Sequence, residues 1–174
     1  MKKVLVVVDM QNDFISGALG SSDAIDIVDG VYKLMKDFDG DIICTLDTHR
    51  ENYLETREGK FLPVEHCIKG TLGHKLNSKV ENIVEEKKIK CIEKNTFGSL
   101  DLVTYLDKNY DKNNLEIYIV GLCTDICVIA NAILLKTKFY ENNIYCYEKL
   151  CAGVTKKLHD SAIEVMRSMQ IEII

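Results

Sequence analysis

Short runs of β-branched residues alternate with amphipathic helical patterns along the whole chain, and this alternation constrains the fold most strongly. The runs predict six strands, at about residues 4–8, 41–46, 89–93, 116–120, 144–147 and 171–174. Helices are predicted between them, at about 23–38, 77–86, 99–109, 125–141 and 155–169. Strands that alternate with helices form a parallel sheet covered on both faces. We therefore expect an α/β fold with a doubly wound six-stranded parallel sheet in the order 3-2-1-4-5-6.

The composition limits the classes of protein to which the chain can belong. Its 174 residues, 47% hydrophobic and 28% charged, suit one globular domain spanning 1–174. A net charge of −5 argues against non-specific nucleic-acid binding. The apolar run at 4–8 is too short for a signal peptide, and no stretch is long enough for a membrane span. Seven cysteines, an odd number, favour a reducing compartment, so we expect a cytoplasmic protein.

Chemically active side chains follow four of the predicted strands. They are Asp9 after the first, Asp47 and His49 after the second, Lys94 after the third, and Cys123 and Cys127 after the fourth. In an open parallel sheet, ligands bind beyond the carboxyl ends of the strands, where the strand order reverses. The turn after the first strand has no glycine-rich phosphate motif, which argues against a nucleotide site. We therefore expect these side chains to form an active site at one edge of the sheet.

Cys127 lies in the first turn of the helix predicted from about 125. The positive end of a helix dipole lowers a thiol pKa, so this position favours a thiolate nucleophile at neutral pH. Asp9 is placed to take and return a proton, and Lys94 to balance the negative charges. Position alone leaves two alternatives open: Cys127 is a small buried helix residue, or Cys123 is the nucleophile.

The segment from Asp47 to about Gly73 has no periodicity, and long irregular segments in compact domains are usually functional or disordered. Asp47, His49 and His66 are nitrogen and oxygen ligands of the kind that borderline divalent metals take. Cys67 is a less favoured ligand than its neighbour His66. The two other histidines, His74 and His159, are predicted to be surface or helix-face residues without a role.

Several segments together resemble a known family. Residues 9–14 (DMQNDF) resemble the opening motif of the isochorismatase-like cysteine hydrolases, the group that contains the nicotinamidases. Residues 121–128 (GLCTDICV) are similar to the nucleophile motif of that family. Residues 47–49 (DTH) and 66–71 (HCIKGT) are similar to the metal segment of the nicotinamidase branch. The motifs occur in the family's order from the first strand to the nucleophile helix.

The resemblance implies a role for each member of a catalytic triad. Cys127 would be the nucleophile, Asp9 the general base and then acid, and Lys94 the third member. The backbone N–H groups of Cys123 and Cys127 would form the oxyanion hole. A cis peptide bond between Leu122 and Cys123 is also implied.

The resemblance further implies a metal cofactor, a small-molecule substrate and an assembly of several identical chains. Asp47, His49 and His66 would bind one divalent metal ion, with zinc first and iron or manganese as alternatives. The substrate would be a small amide, and no nucleic acid or membrane partner is implied. Members of the family often form homodimers or homotetramers.

The leading reaction under this resemblance is hydrolysis of nicotinamide to nicotinate and ammonia through a cysteine thioester, a step of NAD salvage. The chain departs from the nicotinamidase pattern because it contains no tryptophan before His66. Phe14 and Phe97 are left either to stack against a flat ring or to pack in the core. Two alternatives therefore stay open: hydrolysis of another small amide or carbamoyl group by the same triad, and a metal-binding homologue without turnover.

Overall fold

A computed structural model describes residues 1–174 and contains the predicted alternation of strands and helices. The strands are β1 (Lys2–Val8), β2 (Asp41–Asp47), β3 (Lys90–Lys94), β4 (Leu115–Leu122), β5 (Ile144–Ala152) and β6 (Glu172–Ile173). They form one sheet in the order β3-β2-β1-β4-β5-β6, and every neighbouring pair is parallel. The fold class and strand order predicted from the sequence are therefore confirmed.

The five predicted helices are present near their predicted positions, and two short helices, Asn12–Ile15 and Arg57–Phe61, are additional. In chain order, the helices are α1 (Asn12–Ile15), α2 (Ser22–Asp26), α3 (Val28–Asp37), α4 (Arg57–Phe61), α5 (Ser78–Lys87), α6 (Leu100–Asn109), α7 (Ile129–Lys138) and α8 (Lys156–Ser168). The helix predicted at 23–38 is divided into α2 and α3. The helix predicted from 125 begins as a π-helical turn over Thr124–Val128, because the Val128 N–H donates to the Cys123 carbonyl at 3.0 Å. The segment predicted to be irregular contains a 3₁₀ turn, Tyr53–Glu55, and α4.

The sheet separates two apolar cores, and alternate residues of each strand face one or the other. In β1, Val4, Val6 and Val8 join the core covered by α6, α7 and α8. Leu5 and Val7 point the opposite way, into the core covered by α2, α3 and α5. Because both faces are buried, β1 is apolar almost throughout rather than alternating. None of the helices combines the length and apolar character that crossing a bilayer requires.

The carboxyl ends of β1 and β4 approach each other closely where the strand order reverses. Val8 is paired with Gly121, which has a φ of 121°. A Cβ atom at Gly121 would lie 2.1 Å from the Val8 carbonyl oxygen, so only glycine fits this position. The next peptide bond, Leu122–Cys123, is cis, as the resemblance implied. This contact brings the residue after β1, Asp9, beside the turn that follows β4.

Candidate active site

Three side chains from separate strand ends meet at the carboxyl edge of the sheet. Lys94, the last residue of β3, places its Nζ 2.6 Å from Asp9 Oδ2. The same Nζ lies 3.5 Å from Cys127 Sγ and 3.5 Å from Asp47 Oδ1. Asp9 is fully buried, and Lys94 and Cys127 are 6% and 5% exposed. The structure thus brings together the acid, the ammonium and the thiol that the sequence suggested as a group.

Asp9 is held in an unusual backbone conformation directly after β1. Its φ of 48° lies in the left-handed region, which aspartate tolerates better than most residues other than glycine. Thr45 Oγ1 donates a hydrogen bond of 2.6 Å to Asp9 Oδ1. Burial raises the pKa of the Asp9 carboxyl, although the charge of Lys94 acts in the opposite direction. The result is a carboxylate that binds a proton more readily than an exposed aspartate does.

The pKa of the Cys127 thiol is shifted in the direction opposite to the lowering expected from its position at a helix start. Burial raises the pKa of the Cys127 thiol well above its ordinary value, and the negative charge of Asp9 raises it further. Lys94 favours the thiolate but does not outweigh these effects. Desolvation and a neighbouring carboxylate therefore dominate over the helix dipole on which the sequence argument relied. The structure thus places a buried thiol, with a raised pKa, beside the Asp9–Lys94 pair.

Cys123, the alternative nucleophile, differs from Cys127 in its contacts. Burial raises the pKa of the Cys123 thiol to about 12, and the charge of Asp125 contributes to the rise. The Lys94 ammonium lies at hydrogen-bonding distance from Cys127 Sγ. The geometry therefore favours Cys127 as the reacting thiol.

The three predicted metal ligands converge beside this group. Their donor atoms all lie within 4.8 Å of one another. Asp47 Oδ2 is 2.9 Å from His49 Nε2 and 3.6 Å from His66 Nε2. His66 Nδ1 lies 2.8 Å from the Val64 carbonyl oxygen, the contact that turns the other ring nitrogen towards a ligand position. Two imidazoles and a carboxylate, with His66 oriented by the Val64 carbonyl, fit a divalent transition metal such as zinc.

A fourth side chain, an acidic one that was not predicted from the sequence, lies beside the two histidines. Glu58, in α4, places its Oε1 3.7 Å from His49 Nε2 and 3.6 Å from His66 Nε2. No motif pointed to Glu58, because it lies on a short helix inside the segment predicted to be irregular. Glu58 lies nine residues after His49 and eight residues before His66, and this spacing does not correspond to a known metal-binding motif.

Two side chains of the opening motif build the site without reaching its centre. Gln11 is fully buried and donates to the carbonyls of Asp47 and His74, both at 2.8 Å, while its Oε1 accepts the Asp47 N–H at 2.7 Å. Asp13 Oδ2 accepts the Cys67 N–H at 2.8 Å. These bonds connect the turn after β1 to the strand end and loop that carry the metal donors.

The other histidines and Cys67 are not all where the sequence predicted. His159 lies on a helix face, as one of the two predicted alternatives had it, but this face is buried: the residue is 8% exposed, and its Nδ1 lies 2.8 Å from Thr124 Oγ1 in the π-helical turn. His74 Nε2 lies 2.9 Å from Thr48 Oγ1 and is partly buried. Cys67 is buried in the apolar core outside the donor cluster.

A cavity of about 430 Å³ opens onto Cys127 and two of the metal donors, Asp47 and His66. Its wall is mainly apolar and includes Leu19, Leu62, Ile126 and Val154. Phe14 forms part of the wall and lies 5.5 Å from the His66 ring, measured between ring centroids. Phe97 also lines the cavity but is 51% exposed, so it belongs to the mouth and not to the core. An apolar pocket with a few convergent polar groups suits a small, flat ligand.

A parallel sheet in the order 3-2-1-4-5-6, with a buried Asp–Lys–Cys group at its carboxyl edge, defines the class of α/β proteins that the resemblance suggested. The sequence model of the Isochorismatase domain matches residues 3–174, and the chain belongs to this family.

Individual relatives are similar over most of the chain. A nicotinamidase of Saccharomyces cerevisiae is 29% identical, over 82% of this chain and 85% of the relative. The crystal structure of the nicotinamidase/pyrazinamidase PncA from Bacillus subtilis superposes with a TM-score of 0.87, at 26% identity and 99% coverage of both chains. A pyrazinamidase of Pyrococcus horikoshii in complex with zinc superposes with a TM-score of 0.80, at 26% identity, covering 100% of this chain and 99% of its own.

Proposed function

We propose that the protein hydrolyses nicotinamide to nicotinate and ammonia through a thioester on Cys127. The observation that carries this proposal is the Cys127 thiol beside the Asp9–Lys94 ion pair, at the end of an apolar cavity. The similarity to nicotinamidases supports nicotinamide as the substrate. The protein is therefore proposed to be a cysteine amidohydrolase acting on a carbon–nitrogen bond other than a peptide bond.

In the first half of the proposed reaction, Cys127 Sγ attacks the amide carbonyl carbon while its proton passes to Asp9. The raised pKa of the Asp9 carboxyl suits this transfer, because a more basic carboxylate accepts a proton more readily. The negative charge that develops on the amide oxygen is bound by the backbone N–H groups of Cys123 and Cys127. Lys94 remains charged and stabilises the negative charge shared by the sulfur and Asp9.

In the second half, the protonated Asp9 gives its proton to the departing nitrogen, and ammonia leaves as the thioester forms. Asp9 is then a carboxylate again and takes a proton from a water molecule. That water attacks the thioester carbonyl, the carbon–sulfur bond breaks, and the proton returns to Cys127. Nicotinate is released, and each group regains its starting protonation state.

We further propose that Asp47, His49 and His66 bind one divalent metal ion, zinc first, with Glu58 as an additional donor. Such an ion acts as a Lewis acid toward a bound ligand. Asp47, His49 and His66 would hold the ion beside the cavity, and Lys94 Nζ connects this cluster to the triad through its contact with Asp47. The zinc complex of the Pyrococcus horikoshii pyrazinamidase supports zinc as the ion.

Loading with zinc is expected to stabilise the folded protein, because the ligand atoms are brought together only in the native state. At a zinc concentration of about 100 times the dissociation constant, stabilisation should reach about 2.7 kcal/mol. The measurement compares thermal unfolding and bound zinc in wild type and His66→Ala. His74→Ala is the control, because His74 lies outside the donor cluster. Equal zinc content in all three proteins would contradict the assignment of His66.

Phe14 and Phe97 are proposed to contact the substrate ring, with Phe14 on the inner wall and Phe97 at the mouth of the cavity. The chain has no tryptophan, and much of the cavity wall is aliphatic. A second candidate substrate is therefore another small amide or a carbamoyl compound. We expect ammonia release from nicotinamide at a higher kcat/KM than from benzamide, larger aromatic amides or simple aliphatic amides. No release from nicotinamide by zinc-loaded enzyme would remove it as the substrate.

Residues 1–174 are proposed to act as one catalytic domain, because the last strand, β6, completes the sheet that begins with β1. All seven cysteines are free thiols, which supports the proposal of a cytoplasmic enzyme. A homodimer or homotetramer remains the proposed assembly, and light scattering on the purified protein measures it directly.

A further inference from the structure

Asn131 is a fully buried amide in the first turn of α7. Its Nδ2 donates to the Cys127 carbonyl at 2.8 Å and to the Phe97 carbonyl at 3.3 Å. Its Oδ1 accepts the Ser99 N–H at 2.9 Å. Burying an amide costs free energy unless its polar atoms are paired, and here both the donor and the acceptor are used.

The Asn131 amide joins two segments that carry different parts of the active site. One is the nucleophile turn, through the carbonyl of Cys127 itself. The other runs from Lys94 at the end of β3, through Phe97 at the mouth of the cavity, to Ser99, the N-cap of α6. Because β3 is an edge strand and pairs only with β2, the sheet does not connect these two segments directly.

We propose that Asn131 is a positioning residue that holds the nucleophile turn in place through its bond to the Cys127 carbonyl, while its bonds to Phe97 and Ser99 orient the amide. It acts through Cys127 and Phe97, and it does not touch the substrate or the reacting atoms. The expected change in kcat rests on the proposed function. The placement of the Cys127 thiol, in contrast, can be measured by its alkylation rate without any turnover. The 2.8 Å bond to Cys127 is shorter than the 3.3 Å bond to Phe97, so we expect the nucleophile to be affected more than substrate binding.

The matched pair Asn131→Thr and Asn131→Val tests this assignment. The two side chains have nearly the same shape, and both are β-branched, so their general effects on a buried helix should be similar. A threonine hydroxyl in a helix donates to the carbonyl four residues earlier, which is here the Cys127 carbonyl. Threonine therefore restores the bond to the nucleophile, and valine does not.

We expect Asn131→Val to lower kcat by at least about tenfold with KM within about threefold, since small displacements of reacting groups cost up to roughly 100-fold. Asn131→Thr should retain most of the wild-type kcat. The rate at which iodoacetamide alkylates Cys127, followed by mass spectrometry of its peptide, should fall in the valine variant and recover in the threonine variant.

Ser99→Ala is the control for a purely structural loss. It removes the hydroxyl that accepts the Leu102 N–H and leaves the backbone N–H that bonds Asn131. It should lower the melting temperature without changing kcat or the alkylation rate. If Asn131→Val is unfolded under assay conditions, the smaller pair Asn131→Ser and Asn131→Ala provides the same comparison.

Equal kcat and equal alkylation rates in the threonine and valine variants would overturn the proposal. So would a loss in Ser99→Ala as large as that in Asn131→Val. If wild type does not hydrolyse nicotinamide, the proposed function fails, and the alkylation rates still decide the role of Asn131. The two failures are therefore distinguishable.

Discussion

Cys127→Ala is expected to lower kcat/KM by at least about 10⁴-fold, since loss of a catalytic nucleophile costs up to about 10⁶-fold in a well-studied hydrolase. Without the sulfur no thioester can form, and Asp9 has no thiol proton to accept. Only binding and the backbone N–H groups would remain, because alanine keeps its amide. The measurement is steady-state ammonia release, together with mass spectrometry of rapidly quenched enzyme for an acyl adduct on Cys127.

Cys123→Ala is the matched control, because it removes a neighbouring thiol and keeps the backbone N–H proposed for the oxyanion hole. We expect this variant to retain most of the wild-type kcat/KM and to form the same adduct. Circular dichroism and zinc content should be unchanged in both variants. Wild-type turnover by Cys127→Ala would rule out the thioester mechanism, and loss of activity only in Cys123→Ala would move the nucleophile to Cys123.

Lys94→Met should destabilise the protein by about 3–5 kcal/mol, the range for removing one partner of a buried ion pair. Asp9, which lies 2.6 Å from Lys94 Nζ and has no exposed surface, would be left as an uncompensated buried carboxylate. Asp47 would lose the same cation but keeps its histidine neighbours. Urea unfolding of the zinc-loaded proteins measures the change in the free energy of unfolding.

Lys69→Met is the control, because Lys69 Nζ lies at the same distance, 2.6 Å, from Glu93 Oε2, but the two side chains are 62% and 45% exposed. Solvent screens such a pair, and its loss should cost about 0–1 kcal/mol. The double variant Asp9→Asn/Lys94→Met should be more stable than the sum of the single changes predicts, by about 0.5–3 kcal/mol. Equal unfolding midpoints for Lys94→Met and Lys69→Met would refute the buried ion pair.

The positions of Asp9, Asp47 and Lys94 at strand ends were predictable because each directly follows or ends a predicted strand. A parallel sheet places all such ends at one edge, so local patterns were enough to predict their meeting. Glu58 and Asn131 were not predictable in this way. Glu58 lies on a short helix without a motif and faces the two histidines only when the loop is folded. Asn131 follows the nucleophile motif, but its bonds to Phe97 and Ser99 join segments that are far apart in the sequence.

The direction of the Cys127 pKa shift also depended on the tertiary structure. A helix start is visible in the sequence and favours the thiolate, but desolvation and the charge of Asp9 arise only when the chain is packed. His159 is similar, because its burial against Thr124 depends on how α8 packs on the π-helical turn.

The sequence by itself determined the strand order, the edge of the sheet that carries the chemistry, and the residue types present there. These follow from hydrophobic periodicity and from the geometry of parallel sheets, which are local or general properties. Only the tertiary structure decided the burial of the Cys127 thiol, the position of Glu58 beside the two histidines and the amide that links Cys127 to the Lys94 segment. Those features depend on distances and burial between segments, and neither quantity is encoded in any short stretch of the chain.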